Sequence, residues 1–147
     1  MLERYHQYKF KFYVNASHAI YIDGNLGERH PHTWEITLNT LKIQEDFIQF
    51  DSIEEQIEDF FNAYQESYFN EVPPFHLINP TLENCCEYFK EELGKLLREA
   101  GWLLLLIEMS ETPTRSYVIN LLDEMGEKYN KDMEAIAGAI LENLIER

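Results

Sequence analysis

Two stretches of alternating apolar and polar residues constrain the fold of this chain more than any other feature. In the first, from Tyr8 to His18, the apolar side chains share one parity: Phe10, Phe12, Val14 and Ala16. In the second, the same kind of face begins with histidines: His30, His32, Trp34, Ile36 and Leu38. A period of two is typical of a strand with one buried face. We therefore expect two half-buried strands that carry histidines at one end of their buried faces.

Apolar residues at helical spacing follow these strands. Ser52 and Glu55 have the spacing of a capping box, which predicts a first helix over residues 53–66. Asn79 or Thr81 can cap a second helix, whose apolar stripe is Leu82, Cys85, Cys86, Phe89, Leu93, Leu96 and Leu97. Two helices are therefore predicted in the middle of the chain.

Two further strands are predicted after the helices. Residues 102–107 form a fully apolar run, and residues 113–115 suit a turn into a partner strand around residues 117–119. The order of two strands, two helices and two strands favours an α+β fold, with a four-stranded antiparallel sheet and both helices on one face. We expect this domain to cover residues 1–120, and residues 121–147 to add a C-terminal helix to it.

The composition restricts the partners of the chain. Its 147 residues suit one domain, and 27 acidic against 12 basic side chains give a formal net charge of −15. Such a charge repels phosphate backbones and anionic lipids, so neither nucleic acid nor membrane is expected as a partner. No targeting or membrane-spanning pattern is evident, which predicts a cytoplasmic protein. The adjacent cysteines Cys85 and Cys86 suit a reduced, buried role.

Three histidines form the candidate metal site. If the first two strands pair as an antiparallel hairpin, His18 leaves one strand where His30 and His32 enter the other. Three imidazoles with an open fourth position are typical of a catalytic zinc site. A hydrogen-bonded core histidine is the alternative for each residue alone, but their common parity favours a shared Zn²⁺ ion.

Five short motifs extend this pattern. They are Ala16-Ser17-His18, His30-Pro31-His32, Phe50-Asp51, the segment from Asn79 to Asn84, and Glu111-Thr112. In this order they resemble the 6-pyruvoyl- and 6-carboxy-tetrahydropterin synthase family over about residues 10–119. The resemblance implies the tunnelling fold, a homohexamer with active sites between subunits, and zinc on the three histidines. It also implies a reduced pterin of the dihydroneopterin triphosphate type as the small-molecule partner.

The resemblance further implies that Glu111, with Thr112 beside it, binds the pterin. A pterin presents an N–H and an adjacent amino group, and one carboxylate can accept both hydrogen bonds. Glu108 lies on the same strand with the opposite parity and is the alternative.

Three departures from the family pattern concern catalysis. The loop over residues 20–29 lacks the usual cysteine, and Gln65-Glu66-Ser67 stands where the family has an Asp-His pair. A branch of the family uses glutamate for the cysteine, which makes Glu28 the candidate catalytic residue; a solvated loop residue beside Arg29 is the alternative. Pro31 replaces the glycine between two ligands and should leave them in place.

Three functions remain open at this stage. The first is a zinc-dependent lyase that acts on a reduced pterin, and the second is a zinc- and pterin-binding module without turnover. The third is a tunnelling-fold scaffold that binds a partner through residues 121–147. A triphosphate substrate would need local cations, for which the candidates are Lys9, Lys11, Arg29 and Arg115.

Overall fold

The computed structural model describes residues 7–43 and 48–123, together with Gly138 and Ile140. Within these residues the elements are β1 (Tyr8–His18), β2 (Tyr21–Ile22), β3 (Asn25–Leu26), β4 (His30–Lys42), α1 (Phe50–Asn62), a short 3-10 helix (Phe69–Glu71), α2 (Leu82–Glu99), β5 (Trp102–Thr112) and β6 (Arg115–Asn120). The predicted α+β class is confirmed.

The main sheet has the strand order β1-β4-β5-β6, and every neighbouring pair is antiparallel. In the β1–β4 pair, His18 lies opposite His30, and Ala16 lies opposite His32. Residues 20–29, which the sequence suggested as a loop, contain the small hairpin of β2 and β3. Asp23 and Gly24 form its turn with φ angles of 52° and 80°, the positive values that tight hairpin turns require.

Both helices pack on the same face of this sheet, as predicted. Helix α1 buries Ile53, Ile57 and Phe61, and α2 buries Leu82, Cys85, Cys86, Phe89, Leu93 and Leu97. These side chains join one core with the inward residues of β1 and β4, among them Trp34, whose ring stacks on Phe69 at a centroid distance of 4.6 Å. The alternation seen in the sequence therefore marks the face that the helices cover.

The predicted capping box of the first helix is wrong. Helix α1 begins at Phe50, and Gln49 before it makes no side-chain cap hydrogen bond. Ser52 lies inside the helix, where its Oγ accepts a hydrogen bond from Gln56 Nε2 at 3.4 Å. The ring of Phe50 packs on Tyr8 at a centroid distance of 5.3 Å, so tertiary contact supports the earlier start. The helix also ends earlier than predicted, at residue 62.

The second helix begins as one of the two alternatives predicted. Thr81 is its N-cap, and the Thr81 Oγ1 atom accepts a hydrogen bond from the backbone N–H of Asn84 at 3.1 Å. Asn79 instead accepts a hydrogen bond from the backbone N–H of Tyr21 and donates one to the carbonyl oxygen of the same residue. The β2–β3 hairpin is thereby attached to the segment that leads into α2.

Strand β5 contains a bulge and is buried on both faces. Asn39 pairs with Leu106 and Thr40 with Leu104, so Leu105 is an extra residue in β5. Leu104 and Ile107 consequently both face the main core, although their positions differ in parity. On the opposite side of the sheet, Leu105 packs with Leu41 and Ile140 in a second, smaller cluster. The apolar run in the sequence reflects burial on both faces.

The predicted C-terminal helix over residues 121–147 lies outside the described residues, except for 121–123, Gly138 and Ile140. The domain boundaries therefore stay a prediction. Among the described residues, no helix combines the length and the apolar composition needed to cross a bilayer.

Candidate metal and substrate site

The structure brings together the three histidines that were predicted as metal ligands. His18 is the last residue of β1, and His30 and His32 begin β4 beside it. One ring nitrogen from each lies within 4.8 Å of those of the other two. The centroids of the three rings are 4.5 to 5.1 Å apart. The three nitrogens are therefore close enough together to hold one metal ion.

Backbone carbonyl groups orient two of these rings. The Nδ1 atom of His18 donates a hydrogen bond to the carbonyl oxygen of Pro80 at 2.7 Å, and Nδ1 of His30 donates one to that of Glu28 at 3.0 Å. A carbonyl oxygen only accepts, so in the neutral form of each ring the proton is on Nδ1 and Nε2 keeps its lone pair. Histidines that bind metals commonly use this second hydrogen bond to fix ring and tautomer.

The site also fits a metal by its burial. His18 is fully buried, and within the described part of the chain its Nε2 atom has no hydrogen-bond partner. Burial lowers the pKa values of His18 and His32, which favours the neutral form that coordinates metals. A buried imidazole nitrogen without a partner is costly unless something else binds it. The three nitrogens are a donor set suited to zinc.

Glu111, predicted to bind the pterin, faces the histidines. Its Oε1 atom lies 3.3 Å from Nε2 of His18 and 3.6 Å from Nε2 of His32, and its side chain is only 10% exposed. Its Oε2 atom accepts a hydrogen bond from Nη2 of Arg115 at 3.3 Å. Glu108, the alternative, instead accepts a hydrogen bond from Ser116 Oγ at 2.9 Å on the other face of the sheet. The geometry therefore favours Glu111 as the carboxylate of this site.

A pocket of about 680 Å³ opens beside His32. Its lining residues are Asn15, Ala16, Ser17, Arg29, Pro31, His32, Thr33, Glu66 and Ser67. Arg29 is fixed there, since its Nε donates a hydrogen bond to Ser17 Oγ at 2.8 Å and its guanidinium lies 4.3 Å from the centre of the Tyr68 ring. Two of the four cations suggested for a phosphate, Arg29 and Arg115, thus lie at the site. Lys11 instead pairs with Glu35 at 3.0 Å.

Glu28 and Thr112 have less defined positions. Glu28 is exposed in the segment before β4, and only its backbone oxygen contacts His30. In the described part of the chain, its carboxylate makes no hydrogen bond. Thr112 ends β5, where its Oγ1 atom lies 3.3 Å from that of Thr114 in the turn. The roles of both residues stay predictions.

Several pocket residues were given no role by the sequence, among them Glu66. Glu66 has a positive φ of 57°, which is uncommon for a residue with a side chain, and its N–H donates a hydrogen bond to the carbonyl oxygen of Asn15 at 2.6 Å. It is one of the residues that stand where the family has an Asp-His pair. Its position in the family pattern is the signal for a site role, although the segment contains no histidine.

The two cysteines lie in the core, as predicted. Cys85 and Cys86 are free and buried in α2. Burial raises the pKa of Cys86 to about 12 and that of Cys85 well above its usual value. Neither thiol can therefore supply a thiolate in place of the cysteine missing from residues 20–29.

An antiparallel sheet of four strands, with two helices on one face and three histidines at one end, is the architecture of the tunnelling-fold class. The family model described as 6-pyruvoyl tetrahydropterin synthase matches residues 7–122, and the chain belongs to this family. No protein of curated function matches the chain.

Solved structures agree in fold at low sequence identity. The Caenorhabditis elegans 6-pyruvoyl tetrahydropterin synthase is 13% identical with a TM-score of 0.66, over 78% of this chain and 94% of that one. An uncharacterized Wolinella succinogenes protein is 12% identical with a TM-score of 0.61, over 78% and 97%. A Plasmodium vivax 6-pyruvoyltetrahydropterin synthase, described as a variant in which a catalytic glutamate is replaced by alanine, is 14% identical with a TM-score of 0.57, over 78% and 97%. These similarities show the fold.

Proposed function

We propose that this protein binds a reduced pterin of the dihydroneopterin triphosphate type at a zinc ion held by His18, His30 and His32, and acts on it as a lyase. The observation that carries the proposal is the convergence of three imidazole nitrogens and the Glu111 carboxylate next to a pocket that contains Arg29. A zinc ion in such a site polarises substrate oxygens and lowers the pKa of the groups attached to them.

The remaining side chains would orient the substrate. Glu111 is the acceptor for the N–H and amino group of the pterin ring, as the family resemblance implies, with Thr112 next to it. Arg29 and Arg115 supply positive charge for phosphate oxygens on a chain whose net charge is −15. Arg29 is already held over Tyr68, so little conformational freedom is lost when it binds an anion.

Glu28 is the proposed proton-transfer residue. Its backbone contacts His30, so its side chain begins next to a metal ligand. In the Plasmodium vivax 6-pyruvoyltetrahydropterin synthase a glutamate is a catalytic residue, which supports a carboxylate in this role. The exposed position of Glu28 means that substrate, or a neighbouring subunit, would have to cover it before proton transfer.

A binding protein without turnover is the second candidate. It is favoured by the buried cysteines and by Gln65-Glu66-Ser67, which offers no histidine for a proton relay. Both candidates bind zinc and pterin, so only a measurement of turnover distinguishes the binding protein from the lyase.

Self-assembly belongs to the same proposal. Among the described residues, strands β1 and β6 are the edges of the sheet, and long exposed edges are normally covered or paired. The β2–β3 hairpin also exposes three large apolar residues, Tyr21, Ile22 and Leu26. We expect a homo-oligomer, with a hexamer as the family resemblance implies, and a cytoplasmic location stays a prediction.

The decisive experiment is to titrate the zinc-saturated protein with dihydroneopterin triphosphate and to follow binding and product formation. Glu111→Gln should weaken pterin binding by about 1.5 to 3 kcal/mol, the range for losing a charged hydrogen-bond acceptor. Glu108→Gln removes the same charge from the opposite face and should leave binding unchanged. Wild-type protein with neither turnover nor measurable pterin binding would contradict the lyase and the binding protein alike.

A further inference from the structure

Two buried acceptor atoms face each other in the histidine site. In the neutral His18 ring, Nδ1 donates a hydrogen bond to the carbonyl oxygen of Pro80 and Nε2 presents a lone pair. This Nε2 atom lies 3.3 Å from Oε1 of Glu111. A carboxylate oxygen also presents lone pairs. Neither atom has a hydrogen-bond partner among the described residues, and the two side chains are 0% and 10% exposed. Two acceptors at this distance repel each other unless a positive charge lies between them.

The distances agree with a shared metal ion. Ligand atoms about 2.0 to 2.2 Å from a tetrahedral zinc ion are roughly 3.3 to 3.6 Å from one another. Oε1 of Glu111 lies 3.3 Å from Nε2 of His18 and 3.6 Å from Nε2 of His32. The carboxylate oxygen therefore stands where a fourth ligand would stand relative to these two histidines.

We propose that Glu111 is the fourth zinc ligand of the substrate-free protein and that a pterin must displace it. This inference rests on the proposed function for the three-histidine site and adds a second state to it. In the substrate-free state, Oε1 binds the metal and Oε2 accepts from Arg115 at 3.3 Å. Both oxygens are needed to accept the paired donors of a pterin, so binding the pterin requires Glu111 to leave the metal. The carboxylate thus closes the metal site when no substrate is present and opens it when a pterin arrives.

Zinc affinity tests the first half of this inference without any pterin. Metal-free wild type, Glu111→Gln, Glu111→Asp and Glu108→Gln are titrated with zinc in competition with a chromophoric chelator, after circular dichroism has shown that each is folded. Loss of a residue that only orients a ligand weakens metal binding by about 10- to 100-fold, and loss of a ligand should cost at least about tenfold. We expect this loss in both Glu111 variants and not in Glu108→Gln.

The aspartate variant separates contact from charge. Glu111→Asp keeps the negative charge but is one methylene shorter, so its oxygen no longer reaches the position that Oε1 occupies. If Glu111→Asp bound zinc as tightly as wild type, Glu111 would act only through its charge, and the proposal would be overturned. Equal zinc affinity in Glu111→Gln and Glu108→Gln would overturn it as well.

The second half of the inference, that Glu111 closes the metal site, is tested by measuring how easily another ligand reaches the fourth coordination position of the metal. The cobalt(II)-substituted proteins are titrated with azide, and the visible absorption bands of the metal are followed. If Glu111 occupies the position, Glu111→Gln should bind azide about tenfold or more tightly than wild type, because azide no longer competes with the carboxylate. Equal azide affinities would overturn the proposal while leaving the three-histidine site intact. Absence of zinc binding by wild type would overturn the proposed function together with it.

Discussion

The His18 ring is hydrogen-bonded to Pro80, with 2.7 Å between Nδ1 and the carbonyl oxygen. This contact joins the last residue of β1 to the residue before the cap of α2, 62 positions away in sequence. It places the Nδ1 proton on the Pro80 side and turns Nε2 toward His30, His32 and Glu111. The chain segment before the helix thus determines how the most buried ligand is presented.

We expect about one zinc ion per chain in purified protein, retained through gel filtration. His30→Ala should lose the metal because it removes one of three imidazoles that share the ion. His76→Ala is the matched control, since His76 is exposed and is not a member of the three-histidine cluster. Elemental analysis of the three proteins provides the measurement. Zinc below about a tenth of an equivalent in wild type, together with no change in His30→Ala, would contradict the metal site.

Arg29→Gln should weaken the binding of a triphosphorylated dihydropterin more than that of the unphosphorylated compound. The difference should be about 1.5 to 3 kcal/mol, as expected for a hydrogen bond to a charged group. Lys11→Gln removes a cation that is paired with Glu35 and should change neither affinity. Calorimetric titrations of both ligands measure the difference. An equal loss for the two ligands would mean that Arg29 supports the pocket without binding phosphate.

Glu28→Gln should abolish turnover and leave zinc and pterin binding intact, if Glu28 transfers a proton in the reaction. General acid–base catalysis contributes about a hundredfold to ten-thousandfold, so the change is readily measured. Asp23→Asn removes a charge from the β2–β3 turn of the same loop and is the control. If wild type and Glu28→Gln are equally inactive while both bind pterin, the protein binds pterin without turnover.

The cysteines should not react with a thiol reagent at pH 8 in the folded protein. Burial raises the pKa of Cys86 to about 12, so almost none of its thiol is ionised at that pH. Both thiols should react once the chain is unfolded in denaturant. Rapid modification of native protein would show that α2 opens readily from the sheet.

The protein should be oligomeric at micromolar concentration, as measured by light scattering. Replacing exposed Ile22 and Leu26 of the β2–β3 hairpin by serine should weaken assembly if this hairpin lies in an interface. Exposed Leu77→Ser provides a comparison outside the hairpin. A monomeric wild type would remove the shared pocket from the proposed function.

The sequence predicts the strands of this fold better than the ends of its helices. Alternating burial has a period of two, and β1 begins and ends at the residues that the alternation indicated. Helix α1 begins at residue 50 because Phe50 packs on Tyr8, a contact between residues distant in sequence. The spacing of a local capping motif cannot predict such a tertiary contact.

The histidine cluster was predictable for the same reason, since parity and hairpin pairing are properties of neighbouring residues. The contact between Glu111 and His18 was not, because it depends on how β5 is placed beside β4 and on the rotamer of one side chain. The position of Arg29 also depends on tertiary structure, as Ser17 and Tyr68 hold it. The sequence therefore indicated which residues belong to the site, and the distances between their side chains depend on the tertiary fold.

The extra residue in β5, Leu105, decides which carboxylate can take part in chemistry. Before it, Trp102 and Leu104 face the core; after it, Ile107 and Met109 do, and Glu111 continues that series toward the histidines. If the strand kept all these residues and had no bulge, the even-numbered side chains would stay inward and Glu108 would turn toward the site. The bulge thus selects the carboxylate, and deletion of Leu105 should leave Ile107, Met109 and Glu111 on the inner face, because the shortened strand would then alternate regularly.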